Sequence, residues 1–221
     1  MNRHHLLIAA TGAAAIAVLI VGCASVAPVG NSATELDAQA LAMVKAGFRE
    51  QGIAKLDRLD QDLGQQACSQ EAAPPEALAR QIEAQAAATV QWPAGGQYFG
   101  DWREGEKLAQ NGRGMTWTDT SAAPSANGAQ CYNCHQLSPQ EVSFGTIGPS
   151  LYNYGKLRGV SNLNDPASAA IIQYTWSKLW NSKAFAACSN MPRFGHAKLL
   201  DEQQIRHVMS LLLDPKSAVN Q

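Results

Sequence analysis

Cys131-Tyr132-Asn133-Cys134-His135 is the stretch on which the reading of this chain turns. Two cysteines separated by two residues and followed at once by histidine form the attachment signature of a c-type haem. The spacing lets both thiols reach the vinyl groups of one porphyrin and leaves the imidazole able to bind iron from the same side. C-x-x-C alone could also be half a zinc site or a redox dithiol. Zinc asks for a second ligand pair, and downstream only His196 and His207 remain, with no partnering C-x-x-C. A redox dithiol has no need of the trailing histidine. One covalent haem c on Cys131 and Cys134, with His135 on its iron, is the expected cofactor.

Working outward, Gly148-Pro149-Ser150-Leu151 follows the attachment site. It resembles the turn in cytochromes c whose proline carbonyl accepts the haem histidine's free N–H, which implies that Pro149 would orient the His135 imidazole and raise its basicity; as a lone tetrapeptide it could be any turn. Candidates for the sixth iron position are Met191, Met209, Met115, His196 and His207. Met209 shares a helical stripe with Ile205, Val208 and Leu212 and is expected in the core. His207 lies off that stripe and is expected to be solvated, and Met115 precedes the attachment site. Met191, in Asn190-Met191-Pro192, sits on an irregular stretch that the proline keeps out of helix. It is the expected second axial ligand, with His196 as the alternative.

The surroundings read as helix. A short helix from Asp101 places Trp102, Gly105, Leu108 and Ala109 on one face. A later one, about residues 167–181, carries Trp176 and Trp180, which suit either a haem wall or plain core. The last, about residues 201–213, starts with Asp201 and Glu202 and stops at Asp214-Pro215. Met115 and Trp117 lie in a long loop, against the haem edge or merely packed locally. The expected fold class is all-α, a class I cytochrome c-like monohaem domain over residues 98–221.

Residues 33–95 are rich in Ala, Gln, Leu and Glu and read as a helical N-terminal extension. Thr34 is a plausible cap, with Leu41, Val44 and Phe48 on one stripe. A break from Gly64 to Pro75 surrounds Cys68, and a second helix of about residues 76–90 follows. Docking of this segment on the haem domain is favoured over a bare spacer.

The first 22 residues read as an export signal, with Arg3 ahead of an apolar run that is short for a membrane span. It closes on Leu19-Ile20-Val21-Gly22-Cys23, which resembles a lipobox, so Cys23 is expected to carry lipid and tether the chain to a membrane surface. Residues 23–32 then form a flexible tether. Removing residues 1–22 leaves 16 Lys and Arg against 18 Asp and Glu, a net charge of -2, and no basic block that would suit nucleic acid. The expected location is periplasmic, lipid-anchored. Of the 5 cysteines, lipid and haem claim three. Cys68 and Cys188 are left in an oxidising compartment, where a disulfide between them is expected and two unpaired thiols are the plainer alternative.

Residues 145–155 (Gly-Thr-Ile-Gly-Pro-Ser-Leu-Tyr-Asn-Tyr-Gly), 190–195 (Asn-Met-Pro-Arg-Phe-Gly) and 212–220 (Leu-Leu-Asp-Pro-Lys-Ser-Ala-Val-Asn) resemble the SoxX family, the monohaem subunits of the bacterial sulfur-oxidation system. The resemblance covers about residues 98–221. It implies a heterodimer with a larger cytochrome subunit, SoxA, that joins thiosulfate to a cysteine of the carrier SoxYZ as an L-cysteine S-thiosulfotransferase. It also implies that the chemistry lies on the larger subunit, while the small one accepts the electrons and passes them on. No catalytic site is expected on this chain. A free-standing periplasmic electron carrier is the alternative, and a gas-sensing haem protein is a third reading.

Overall fold

The computed structural model describes residues 32–141 and 144–221, so Cys23, the tether and the export signal lie outside the described residues. They divide at Gly47–Phe48 into two units. The first contains α1 (Ala33–Gly47), which buries none of its residues. Ser32, rather than Thr34, closes its start, accepting the Glu35 N–H on Oγ at 3.3 Å. The expected stripe is not a buried face: Leu41 and Val44 are about half exposed, and Phe48 falls beyond the helix.

The second unit is organised by α6 (Glu202–Leu213). Asp201 accepts from the Gln204 N–H while the Gln204 side chain accepts from the Asp201 N–H, a capping box that satisfies two orphan donors. Ile205, Val208, Met209 and Leu212 are buried, as the stripe demands. Against it crosses α4 (Trp102–Ala109), capped by Asp101. The crossing is so close that a Cβ on Gly105 would stand 2.1 Å from the His207 carbonyl oxygen, so only glycine fits. His207 is not simply solvated: its Nδ1 accepts the Asp101 N–H at 2.8 Å, pinning the start of α4.

The third large helix is α5 (Ala169–Trp180). Its two indoles stack on each other, are buried, and donate to the carbonyls of Gln91 and Thr89 at 2.8 and 3.0 Å. They therefore hold the chain leaving α3 (Glu76–Ala88) onto the core. This is the core role, and the docking of residues 76–91 on the core follows from it. The expected division near residue 96 separates no packed bodies, because residues 48–95 belong to the same unit as residues 98–221.

The expected break around Cys68 holds a short helix, α2 (Leu63–Cys68), started by a second capping box between Asp62 and Gln65. Its Asp-x-x-Gln signature was readable in the sequence. The fold is all-α. Among the described residues, β-structure amounts to one isolated bridge between Gln51 and Ala54, and no helix is long and apolar enough to cross a membrane.

Candidate functional site

Cys131 opens a single 3-10 turn over residues 131–133, entered through Gln130 in the left-handed region at φ 52°. The His135 N–H donates back to the Cys131 carbonyl at 2.8 Å, closing the Cys-Tyr-Asn-Cys-His stretch on itself. Cys131 and Cys134 are not bonded to each other. As a whole residue Cys131 is half-buried, and burial of its thiol pushes the pKa up to about 12. A reactive redox dithiol needs the opposite shift.

The His135 ring stands 2.6 Å, Nδ1 to oxygen, from the Pro149 carbonyl. A carbonyl can only accept, so Nδ1 carries the proton and Nε2 keeps its lone pair for a metal. Gly148 makes this approach possible, since a Cβ there would lie 2.2 Å from His135 Cε1. Gly145 is as tightly set, its Cβ position 1.8 Å from the Asn133 carbonyl oxygen. The glycines of the Gly145–Gly148 turn thus let the chain wrap the Cys131–His135 stretch.

Cys131, Cys134, His135, Pro149 and Met191 all line one cavity of about 790 Å³. Helix α6 gives it Val208 and Leu212, one turn apart, and α5 gives it Tyr174, Thr175, Lys178 and Leu179. That volume is within the roughly 300–1,000 Å³ of cofactor cavities. Met115 lines the same cavity, one of the two readings its loop left open. Trp117 does not line it and is 61% exposed. Trp176 and Trp180 do not wall it either.

The Met191 loop is held from several sides. Its carbonyl accepts from Ser182 Oγ at 2.6 Å and its N–H donates to Ser189 Oγ at 3.3 Å. Cys188, three residues earlier, is bonded to Cys68 of α2. Glu83 of α3 accepts the Ala187 N–H at 3.1 Å, and Arg193 pairs with Asp62 at 3.2 Å. The upstream helices thus act as a clip on the loop that carries Met191. Sequence reading missed Asp62 and Glu83, whose partners lie more than a hundred residues away.

No protein-family model matches the chain. An uncharacterized lipoprotein of Aquifex aeolicus is 34% identical over 162 residues, which cover 72% of this chain and 73% of the relative. The chain belongs to that lipoprotein's family.

The remaining candidates for the sixth position lie apart from the cavity. Met209 is fully buried in the core and does not line it. His196 lines a second cavity of about 560 Å³, behind Trp180. Burial is the main cause of a lowered His196 pKa, with Arg193 adding to it and Asp62 opposing.

Proposed function

We propose that this chain is an exported monohaem c-type cytochrome of the class I kind, working as the electron-accepting small subunit of a thiosulfate-oxidising complex. The observation that carries the cytochrome reading is the His135–Pro149 bond inside a cavity that both attachment cysteines and Met191 share. A bare metal ion would find no cluster of three or more His, Cys, Asp or Glu among the described residues. A porphyrin brings its own four nitrogens and asks the chain for only two axial ligands. The residues present fit that group: two free thiols, an oriented imidazole, a thioether, and apolar walls.

When bound, the haem iron would take up and give back one electron at a time. The chain's own residues do the rest. Cys131 and Cys134 fix the macrocycle covalently, and Pro149 holds His135 in the tautomer that ligates. Met191, which lines the same cavity, would supply the second protein ligand, and a thioether in that role would raise the potential. Leu212, Val208 and Leu179 exclude water. Such a site accepts electrons and does not activate thiosulfate, consistent with a division of labour in which a larger subunit, SoxA, does the chemistry on the SoxYZ carrier.

A lipoprotein relative supports the reading of Cys23 as the lipidated residue that tethers the protein to a membrane surface in the periplasm. A free-standing electron carrier is the competing assignment. Haem staining of the denatured wild-type chain, lost in Cys131→Ala/Cys134→Ala, tests the cofactor. Purification of the native protein tests the partner: a larger cytochrome subunit should come with it, and thiosulfate should reduce the pair but not the isolated chain. Isolation of a haem-loaded monomer with no such partner would overturn the subunit reading in favour of the carrier, provided the reduced monomer binds no carbon monoxide.

A further inference from the structure

The cavity is lined by Arg113, Arg158 and Lys178 and by no aspartate or glutamate. None of the three is in an ion pair among the described residues. Arg113 and Arg158 are exposed and Lys178 is half-buried, so the cavity carries a cationic rim with no carboxylate in its lining, which suits a ligand that brings its own anionic groups.

Arg158 and Lys178 come from two segments that one buried bond joins. Tyr154 and Thr175 share a hydrogen bond of 2.9 Å between their hydroxyls. The Arg158 guanidinium lies over the Tyr154 ring at 3.7 Å and spends NH1 on the Tyr154 carbonyl at 3.1 Å. Its other N–H groups have no partner among the described residues, so a planar fork remains for a carboxylate. Lys178 stands almost one turn beyond Thr175 on α5 and spends one proton on the Ser182 carbonyl at 3.2 Å. Burial is the main cause that lowers the pKa of Lys178, and the charge of Glu83, which makes no ion pair with it and does not line the cavity, opposes this.

We propose that Arg158 and Lys178 bind the two carboxylate substituents of the porphyrin, a role that rests on the haem reading above. Reduction adds one negative charge to the cofactor, so both cations also favour the reduced form. They therefore join Met191 in making the site an electron acceptor.

The test uses the full haem-loaded chain and compares Arg158→Gln, Lys178→Gln and Lys156→Gln. Lys156 lies in the turn next to Arg158 but does not line the cavity, so it controls for lost charge alone. Two quantities are read: the midpoint potential, and the resonance Raman bands of the carboxylate side chains. Arg158→Gln and Lys178→Gln should each lower the reduced-to-oxidised ratio at fixed potential by up to about tenfold, roughly 59 mV for one electron. Both should move the carboxylate bands, and Lys156→Gln should do neither. Arg158→Lys keeps the charge but loses the fork, so it should hold most of the potential while still moving a band. This variant remains decisive if a glutamine variant fails to fold. Wild-type potential and bands in the loaded variants, or equal shifts in Lys156→Gln, would overturn the assignment. Failure of the haem reading is distinguishable, because the wild-type chain would then carry no haem stain before any variant is measured.

Discussion

Cys188, three residues ahead of Met191, is bonded to Cys68, and the two Cα atoms stand 5.4 Å apart across 120 residues of sequence. The bond joins α2 to the loop that brings a thioether into the cavity. Together with the Asp62–Arg193 pair and the Glu83–Ala187 hydrogen bond, it makes the upstream helices part of the site. A loop so held moves little, and release of an axial ligand requires the loop to move.

The first expected outcome concerns that bond. Cys68→Ser/Cys188→Ser should lower unfolding free energy by about 4–5 kcal/mol in the chain-entropy description of a loop this long. Urea titration of the haem-loaded protein reads it. A loss below about 1 kcal/mol would mean that the unfolded chain is scarcely restricted by the bridge.

A second concerns the axial ligand. Oxidised protein should show the weak near-infrared sulfur-to-iron band, lost in Met191→Ala and kept in His196→Ala and Met115→Ala. Met115 belongs in the comparison because it lines the same cavity. Loss of the band in Met115→Ala with retention in Met191→Ala would reassign the ligand.

A third concerns the turn over the histidine. Gly148→Ala puts a methyl group 2.2 Å from the ring carbon of His135, so either the ring or the turn must shift. Overpacking of this kind costs about 1–3 kcal/mol. The same variant should also reduce haem attachment, read as the yield of stained protein. Gly47→Ala, where a Cβ meets nothing within 4 Å, should leave both unchanged.

A fourth concerns acid. For Asp62, burial by itself would raise the pKa, but the Gln65 N–H, Lys183 and Arg193 outweigh it and hold the carboxyl below its ordinary 3.8. A depressed carboxylate contributes stability that is present above 3.8 and is lost as pH falls through the lower folded value. Acid below that point should therefore loosen the clip. Asp62→Asn keeps a good cap for α2 but removes the charge. Its urea midpoint should consequently fall less than wild type between neutral pH and pH below 3.8. Equal falls in both proteins would show that the pair contributes nothing.

Much of this was readable from the chain. The Cys-x-x-Cys-His stretch and the Gly-Pro step are local patterns, and the His135–Pro149 bond spans only fourteen residues. The stripe of α6 was legible because a helix buries side chains at a fixed period, and Ile205, Val208, Met209 and Leu212 obey it. Two cysteines left over from the expected lipid and haem positions were paired on the expectation of export, and Cys68 and Cys188 are bonded.

What the sequence determined, then, is whatever depends on near neighbours or on residue chemistry: the helical class, the bounds of α6, the Cys-x-x-Cys-His pattern and the leftover thiols. What only the tertiary structure decided is which distant groups share a space. Met115 had two readings because position along a chain does not say which wall of a cavity a loop reaches. The indoles of Trp176 and Trp180 had two readings until their N–H groups met the Gln91 and Thr89 carbonyls. Arg158 and Lys178 carry no motif, and their place in one cavity whose lining holds no carboxylate becomes visible only once the chain is folded. The physical reason is the same in each case. Helix periods and caps are set by interactions within a few residues, whereas burial and electrostatics depend on segments that the fold alone brings together.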